Sequence, residues 1–230
     1  QEGVDVSHWQ GKIDWGVMAS RGVRFAFIKL TQGTGFVDSR AGANLDGAED
    51  AGILRGVYHF YEPWREPEAQ AAHLIDTLTD VGDLDLPVAI DLEDRSSADG
   101  TLAGKVRRFA NAVYNATGRK PIIYTNYYYA RDYLQSLGDY DLWLAQHTDR
   151  VTPALPPGWQ NWRIWQYTSS GNGYWYGASS ARLDLNRFNG TLEQLLAYAG
   201  EVAPPPVPDE AELLQVMAWK LNVRLGKGTQ

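Results

Sequence analysis

Short apolar runs recur along the chain and set its frame. They are GVDVS (3–7), RFAFIKL (24–30), RGVYHF (55–60), PVAIDLE (87–93), PIIYT (121–125), LWLAQH (142–147), RIWQYT (163–168) and RLDLN (182–186). Their β-branched and aromatic content predicts strands. Helical patterns lie between the early runs. Residues 41–51 and 66–79 predict two helices, the second with Pro67 suited to a first turn. Residues 101–116 predict a third, with Leu102, Val106, Phe109, Ala110 and Val113 on one face. Residues 128–136 predict a fourth. Strand and helix therefore alternate to about residue 140, which implies parallel βα units. After that the pattern changes. TPALPPGW (152–159) and SSGNGYWYGASS (169–180) are turn-rich loops, and residues 191–199 predict one closing helix. The expected fold is α/β, a TIM-like barrel over residues 1–200 that is irregular in its last third. Residues 201–208 read as a proline-rich linker. Residues 209–230 read as a short amphipathic helix or the stub of a C-terminal module, with Asp209 capping and Leu213, Leu214, Met217 and Leu221 as its stripe.

Within this frame, charged residues interrupt apolar strands. Asp91-Leu92-Glu93 closes the fourth run, and period two puts Ala89, Asp91 and Glu93 on one face. Carboxylates at the C-terminal end of a barrel strand occupy the place where barrel enzymes keep their catalysts. Two like charges about 6–7 Å apart at Cα raise at least one pKa, so one carboxyl stays protonated as a general acid. Asp5 sits between Val4 and Val6, and Asp184 between Leu183 and Leu185. Buried acids are rare unless paired or functional. The first and last strands of a closed barrel are neighbours, so the four acids are expected in one pocket. A solvated DLEDR loop neutralised by Arg95 is the plainer reading of the pair alone. Strand-end Trp9, Tyr58, Phe60, Tyr124, Trp143, Trp165 and Tyr167 fill a core or line a groove of flat faces. Lys29, Gln146 and Gln166 would add polar tips to such a groove.

Composition narrows the chemistry. Nine Trp, 13 Tyr and six Phe make up 12% of 230 residues, and the rings suit sugar stacking as well as a core. With no cysteine there are no disulfides, thiolate metal sites or thiol nucleophile. The net charge of −7 argues against a nucleic-acid partner. No apolar run approaches the roughly 20 residues of a membrane span, and QEGVDVSHWQ has no signal-peptide pattern. Histidines 8, 59, 73 and 147 lack zinc-hydrolase spacing, so no metal or other cofactor is expected, and a structural role comes first for His8 and His59. A chitinase signature ending at Glu93 fails, because Leu86 and Ala89 stand where it needs aspartates.

The motifs together resemble a known family. D-V-S-H-W-Q-G-x-I-D-W at 5–15, G-V-R-F-A-F-I-K at 22–29, G-V-Y-H-F at 56–60, D-L-E at 91–93, P-I-I-Y-T at 121–125, L-W-L-A at 142–145, W-Q-Y-T-S at 165–169 and D-L-N-R-F-N-G at 184–190 are similar to glycoside hydrolase family 25. These are the Chalaropsis-type muramidases. The resemblance covers about residues 3–197. It implies an irregular (β/α)₅β₃ barrel that hydrolyses the β-1,4 bond between N-acetylmuramic acid and N-acetylglucosamine in bacterial peptidoglycan. It implies Glu93 as general acid, Asp91 as second carboxylate, and Asp5 and Asp184 as further acids of the pocket. Tyr58 and Tyr124 fall on tyrosines near the cleaved sugar. Trp143, Gln166, Lys29 and Phe60 complete the expected substrate-binding set. Asp91 is either a direct nucleophile or the group that orients the substrate's own N-acetyl oxygen. One departure stands out: Gln32 occupies a position where the family commonly has glutamate, which puts the placing of Lys29 in question. A monomer is expected, acting outside the cell or at the wall, whether secreted or released as a phage endolysin. The competing reading is a catalytically inactive, sugar-binding barrel.

Overall fold

The computed structural model describes residues 1–200, so the expected linker and the 209–230 helix lie outside the described residues. Its strands are β1 (Glu2–Val6), β2 (Val23–Gln32), β3 (Phe36–Val37), β4 (Leu54–Phe60), β5 (Ala89–Leu92), β6 (Ile122–Asn126), β7 (Leu142–Ala145), β8 (Ile164–Asn172) and β9 (Arg182–Phe188). The sheet runs β1-β9-β8-β7-β6-β5-β4-β2 and closes through a β1–β2 pairing, which makes an eight-stranded barrel. β3 is a two-residue hairpin strand on the overhanging end of β2. Every barrel pairing is parallel except the two made by β9, which is antiparallel to both β1 and β8. The start of β9 therefore lies at the end of the barrel where the other strands finish, and Asp184 sits in that start.

The helices are α1 (Trp15–Ser20), α2 (Ala41–Asp50), α3 (Pro67–Leu78), α4 (Leu102–Thr117), α5 (Tyr127–Tyr129) and α6 (Leu192–Ala199). Pro67 opens α3 as expected. The apolar stripe of α4 is its buried face, and Gly118, with φ of 71°, ends it in the left-handed conformation that glycine adopts without a Cβ penalty. Thr191 and Gln194 form a reciprocal capping box at the start of α6. Two features differ from the sequence expectation. α1 is a six-residue helix capped by the Asp14 side chain, too short to show a periodic stripe. The helix expected over 128–136 is instead one α-turn followed by a π-turn over 130–134 and a 3₁₀ turn over 135–137.

Alternation along the strands builds two apolar layers. Val4, Val6, Ala26, Ile28, Ile90 and Ile123 pack between barrel and helices. Phe25, Phe27, Ala89, Ile122, Trp143, Ile164 and Phe188 form the other cluster, which fills the barrel. The large rings fit because small residues face them. A Cβ on Gly3 would lie 2.3 Å from Cζ of Phe25, and one on Gly56 would lie 2.6 Å from Cε1 of Phe27. This plug closes the lower barrel, so inward-facing residues one step further along the strands meet in an open pocket.

Candidate active site

The pocket holds about 300 Å³ and is lined by Asp5, Tyr58, Asp91, Glu93, Tyr124, Trp143, His147, Gln166, Ser169 and Asp184. All four expected acids therefore meet, together with four of the six expected binding residues. The barrel's register explains the meeting. Asp5 is directly opposite Asp184 across β1–β9, and Asp91 is opposite Tyr124, which is opposite Trp143.

Lys29 and Phe60 are the two expected residues that stand beside this lining. Lys29 Nζ donates to Gln32 Oε1 at 2.8 Å and lies 4.9 Å from the Phe60 ring centre. Burial lowers its pKa, while the negative charges of Asp91, Asp38, Glu93 and Glu62 oppose that shift. The position where the family commonly has glutamate thus supplies an amide oxygen to Lys29. Gln32 is held in turn by Glu62 Oε1 at 3.1 Å, and Glu62 pairs with Arg65. Trp165 and Tyr167 do not line the pocket; the Trp165 indole donates to Gln146 O and the Tyr167 hydroxyl to Glu2. His59 is buried and structural, set between Thr31 and Gln70, with burial pushing its pKa down to about 3. His147 and Ser169 are additional lining residues. His147 is placed by the end of β7, and Ser169 by the long β8 with its two register shifts, which no local sequence signal marks.

A hydrogen-bond chain fixes one wall. The indole of Trp143 can only donate, and its Nε1 lies 2.7 Å from Asn186 Oδ1. That choice turns the Asn186 amide nitrogen toward Asp5, whose Oδ2 it reaches at 2.7 Å. Gln166 Nε2 donates to the same oxygen at 3.0 Å. Gln166 Oε1 then accepts from the Tyr124 hydroxyl at 3.2 Å and faces His147 Nε2 at 3.2 Å. Because that oxygen only accepts, His147 carries its proton on Nε2.

The acids are not equivalent. Burial raises the Asp5 pKa, and the two amide donors partly offset the rise by supporting the anion. Burial and the neighbouring Asp5 charge push Asp184 up to about 8, so it is the protonated member of that pair at neutral pH. Asp91 is buried, and its Oδ1 has no hydrogen-bond partner among the described residues. Burial and the Glu93 charge push its pKa well up, against the attraction of Lys29. Glu93 lies just past β5 and is open to the cleft, yet protein crowds it on the other sides. Lost hydration, then the Asp5 charge, raises its pKa. Tyr58 and Tyr124 are held as neutral hydroxyls by burial and by the surrounding negative charge. Among the described residues, no group of three or more acidic or histidine side chains is placed to hold a metal ion.

A protonatable carboxyl beside a second carboxyl in an aromatic-walled pocket is the equipment of a glycosidase. The model of glycosyl hydrolases family 25 matches residues 4–174. The chain belongs to glycosyl hydrolase family 25. Lysozyme M1 of Streptomyces globisporus is 35% identical over 219 residues, which span 88% of this chain and 72% of that protein. The N,O-diacetylmuramidase of Chalaropsis sp is 28% identical over 221 residues, spanning 86% of this chain and 98% of that one. The crystal structure of the bacterial lysozyme from Streptomyces coelicolor superposes with a TM-score of 0.74 at 32% identity, covering 86% of this chain and 96% of the other. The expected α/β barrel and family are both met, and this family-25 chain is a glycoside hydrolase.

Proposed function

We propose that this family-25 barrel is a lysozyme that cleaves the β-1,4 bond between N-acetylmuramic acid and N-acetylglucosamine in bacterial peptidoglycan. The observation that carries the reading is the Asp91–Glu93 pair at the end of β5, raised in pKa and facing the pocket. Relatives named lysozyme and muramidase support the substrate. Glu93 is the general acid: it is open to the cleft, and its raised pKa keeps a proton available for the glycosidic oxygen. As that bond breaks, the electron pair leaves with the protonated oxygen and positive charge develops at the anomeric carbon. Asp91 stands two residues back on the same strand. Both carboxyls approach from one side of the sugar, whereas a retaining nucleophile faces its acid across the bond. This favours attack by the substrate's N-acetyl oxygen, with Asp91 holding the acetamide N–H. Water, deprotonated by Glu93, then opens the cyclic intermediate and restores the acid. Asp5 and Asp184 shape the field around the pair, the neutral Tyr58 hydroxyl donates to the sugar, and the Tyr124 hydroxyl, whose proton goes to Gln166 Oε1, offers its oxygen as an acceptor. The chain works at the cell wall, reached by secretion or after release from a lysing cell.

Mass spectrometry of digested peptidoglycan tests this. New reducing ends on muramic acid are expected. Reducing glucosamine or new amino termini would overturn the bond assignment. A stable covalent glycosyl adduct on Asp91 would overturn the neighbouring-group route while leaving the enzyme class intact.

A further inference from the structure

A second cavity adjoins the acid pocket, and its chemistry is the opposite. It holds about 580 Å³, within the roughly 300–1,000 Å³ common for small-ligand sites. His147 lines both cavities, so the two meet at that side chain. Its walls come from the segments following β6 and β7. No acid lines it; Asp149, adjacent in sequence, is not part of the wall.

Two amides and a guanidinium present donors to it. Asn126 Oδ1 accepts from the Tyr129 backbone N–H at 3.0 Å, which leaves its NH₂ for the cavity. Gln146 Oε1 accepts from the Ala154 backbone N–H at 2.7 Å, which does the same. Arg150 is the cavity's cation, and among the described residues no carboxylate pairs with its guanidinium. Tyr127 and Tyr128 add phenol rings, and Tyr128 is exposed. Two amide NH₂ groups and a free guanidinium with no acid beside them fit an acceptor-rich anion. A carboxylate that Arg150 can bind by two N–H groups is the best match.

We propose that this cavity binds the carboxylate-bearing peptide stem of the muramic acid placed in the acid pocket, with Arg150 as its anchor. The proposal rests on the lysozyme reading above and adds a specificity determinant to it. It also resolves an electrostatic problem. Among the described residues, no Lys or Arg lines the acid pocket to receive a carboxylate of the wall polymer, and Arg150 beside it draws the peptide to one side, away from the reacting bond.

The test uses the full chain with Glu93→Gln, so that the ligand is not consumed, with and without Arg150→Glu. The probes are soluble glycan strands carrying stems with free carboxylates, the same strands after chemical amidation of those carboxylates, and strands stripped of peptide. Arg150→Glu is expected to weaken binding of the first probe about tenfold or more, and binding of the other two by less than about twofold. Equal weakening on all three probes, or no change on any, overturns the proposal. Weakening on the stripped strands moves the contact to the lactyl carboxylate and overturns the peptide assignment. Binding does not require cleavage, so failure of the unmodified chain to release muramic reducing ends breaks the lysozyme reading separately.

Discussion

Two pairs of carboxyls share one pocket and are held in opposite ways. Asp5 and Asp184 face each other across two strands, and Asp5 is gripped by two amide donors, Gln166 and Asn186, the second oriented by Trp143. Asp91 and Glu93 come from one strand, and Asp91 Oδ1 is buried without a protein partner. Residue type is the same; satisfaction differs. A saturated network is rigid and specifies one geometry. A buried acceptor without a partner costs stability in the free enzyme and has its hydrogen-bonding capacity available to a substrate. On the proposed mechanism the Asp5–Asp184 side is the frame, and the Asp91–Glu93 side is the reagent. Substitutions should separate the two sides.

The largest effect is expected on the reagent side. Glu93→Gln keeps the shape and removes the transferable proton, so the clearing rate of cell walls should fall by about 10²–10⁴-fold. The melting temperature should stay within a few degrees, because Glu93 is open to the cleft. A variant that keeps most of its clearing rate would remove Glu93 from the acid role.

The frame should respond in stability. Asp5→Ala leaves the buried amide donors of Gln166 and Asn186 without their acceptor, which costs about 2–6 kcal/mol at roughly 1–3 kcal/mol per group. Asp91→Asn, by contrast, should lower activity while leaving stability at neutral pH unchanged or higher. Its carboxyl is already pushed toward the neutral form, and the amide keeps that shape. Denaturant melts of the two variants check the contrast; equal losses would erase the distinction between frame and reagent.

Sequence reasoning reached these acids for a physical reason. Charges inside V-D-V and L-D-L break an apolar alternation, and period two alone puts them on the inner face. The parallel strands up to about residue 140 follow from alternation of strand and helix, whereas the antiparallel β9 does not. The hydrogen-bond chain was not legible, because Asn186 acts through Trp143 and Asp5, which are 43 and 181 residues away in sequence. Lys29 is expected in the groove as a polar strand-end residue, but the irregular pairing of β2 with β4 near Lys29 and the Gln32 amide draw its head to the rim. The cavity at Arg150 was hidden in a loop whose amides become informative only when their oxygens are seen to be occupied.

The titration of Asp184 should also report on the frame. Its folded pKa of about 8 lies above the ordinary 3.8, so between those values the native state holds a proton that the unfolded chain has lost. Stability should therefore fall as pH rises from about 4 to about 8, by no more than about 1.4 kcal/mol per pH unit, and level off above. Asp184→Asn, which cannot titrate, should flatten this slope. An unchanged slope in that variant would place the proton elsewhere in the pocket.

The smallest effect tests the far end of the chain of contacts. Trp143→Phe keeps a ring beside Phe27 and Tyr124 but removes the donor to Asn186 Oδ1. The buried oxygen loses its partner, at a cost of about 1–3 kcal/mol, and the lost ring volume adds a little to it. The more telling consequence is orientational. Without the indole N–H only the Asp5 carboxylate itself holds the Asn186 amide nitrogen toward it, so the anion loses a donor in part of the population. Asp5 should then titrate higher than in the parent, and the pH dependence of clearing should shift while Glu93 itself is untouched. A melt that moves with no change in the pH profile would make Trp143 a packing residue and end the frame at Asn186.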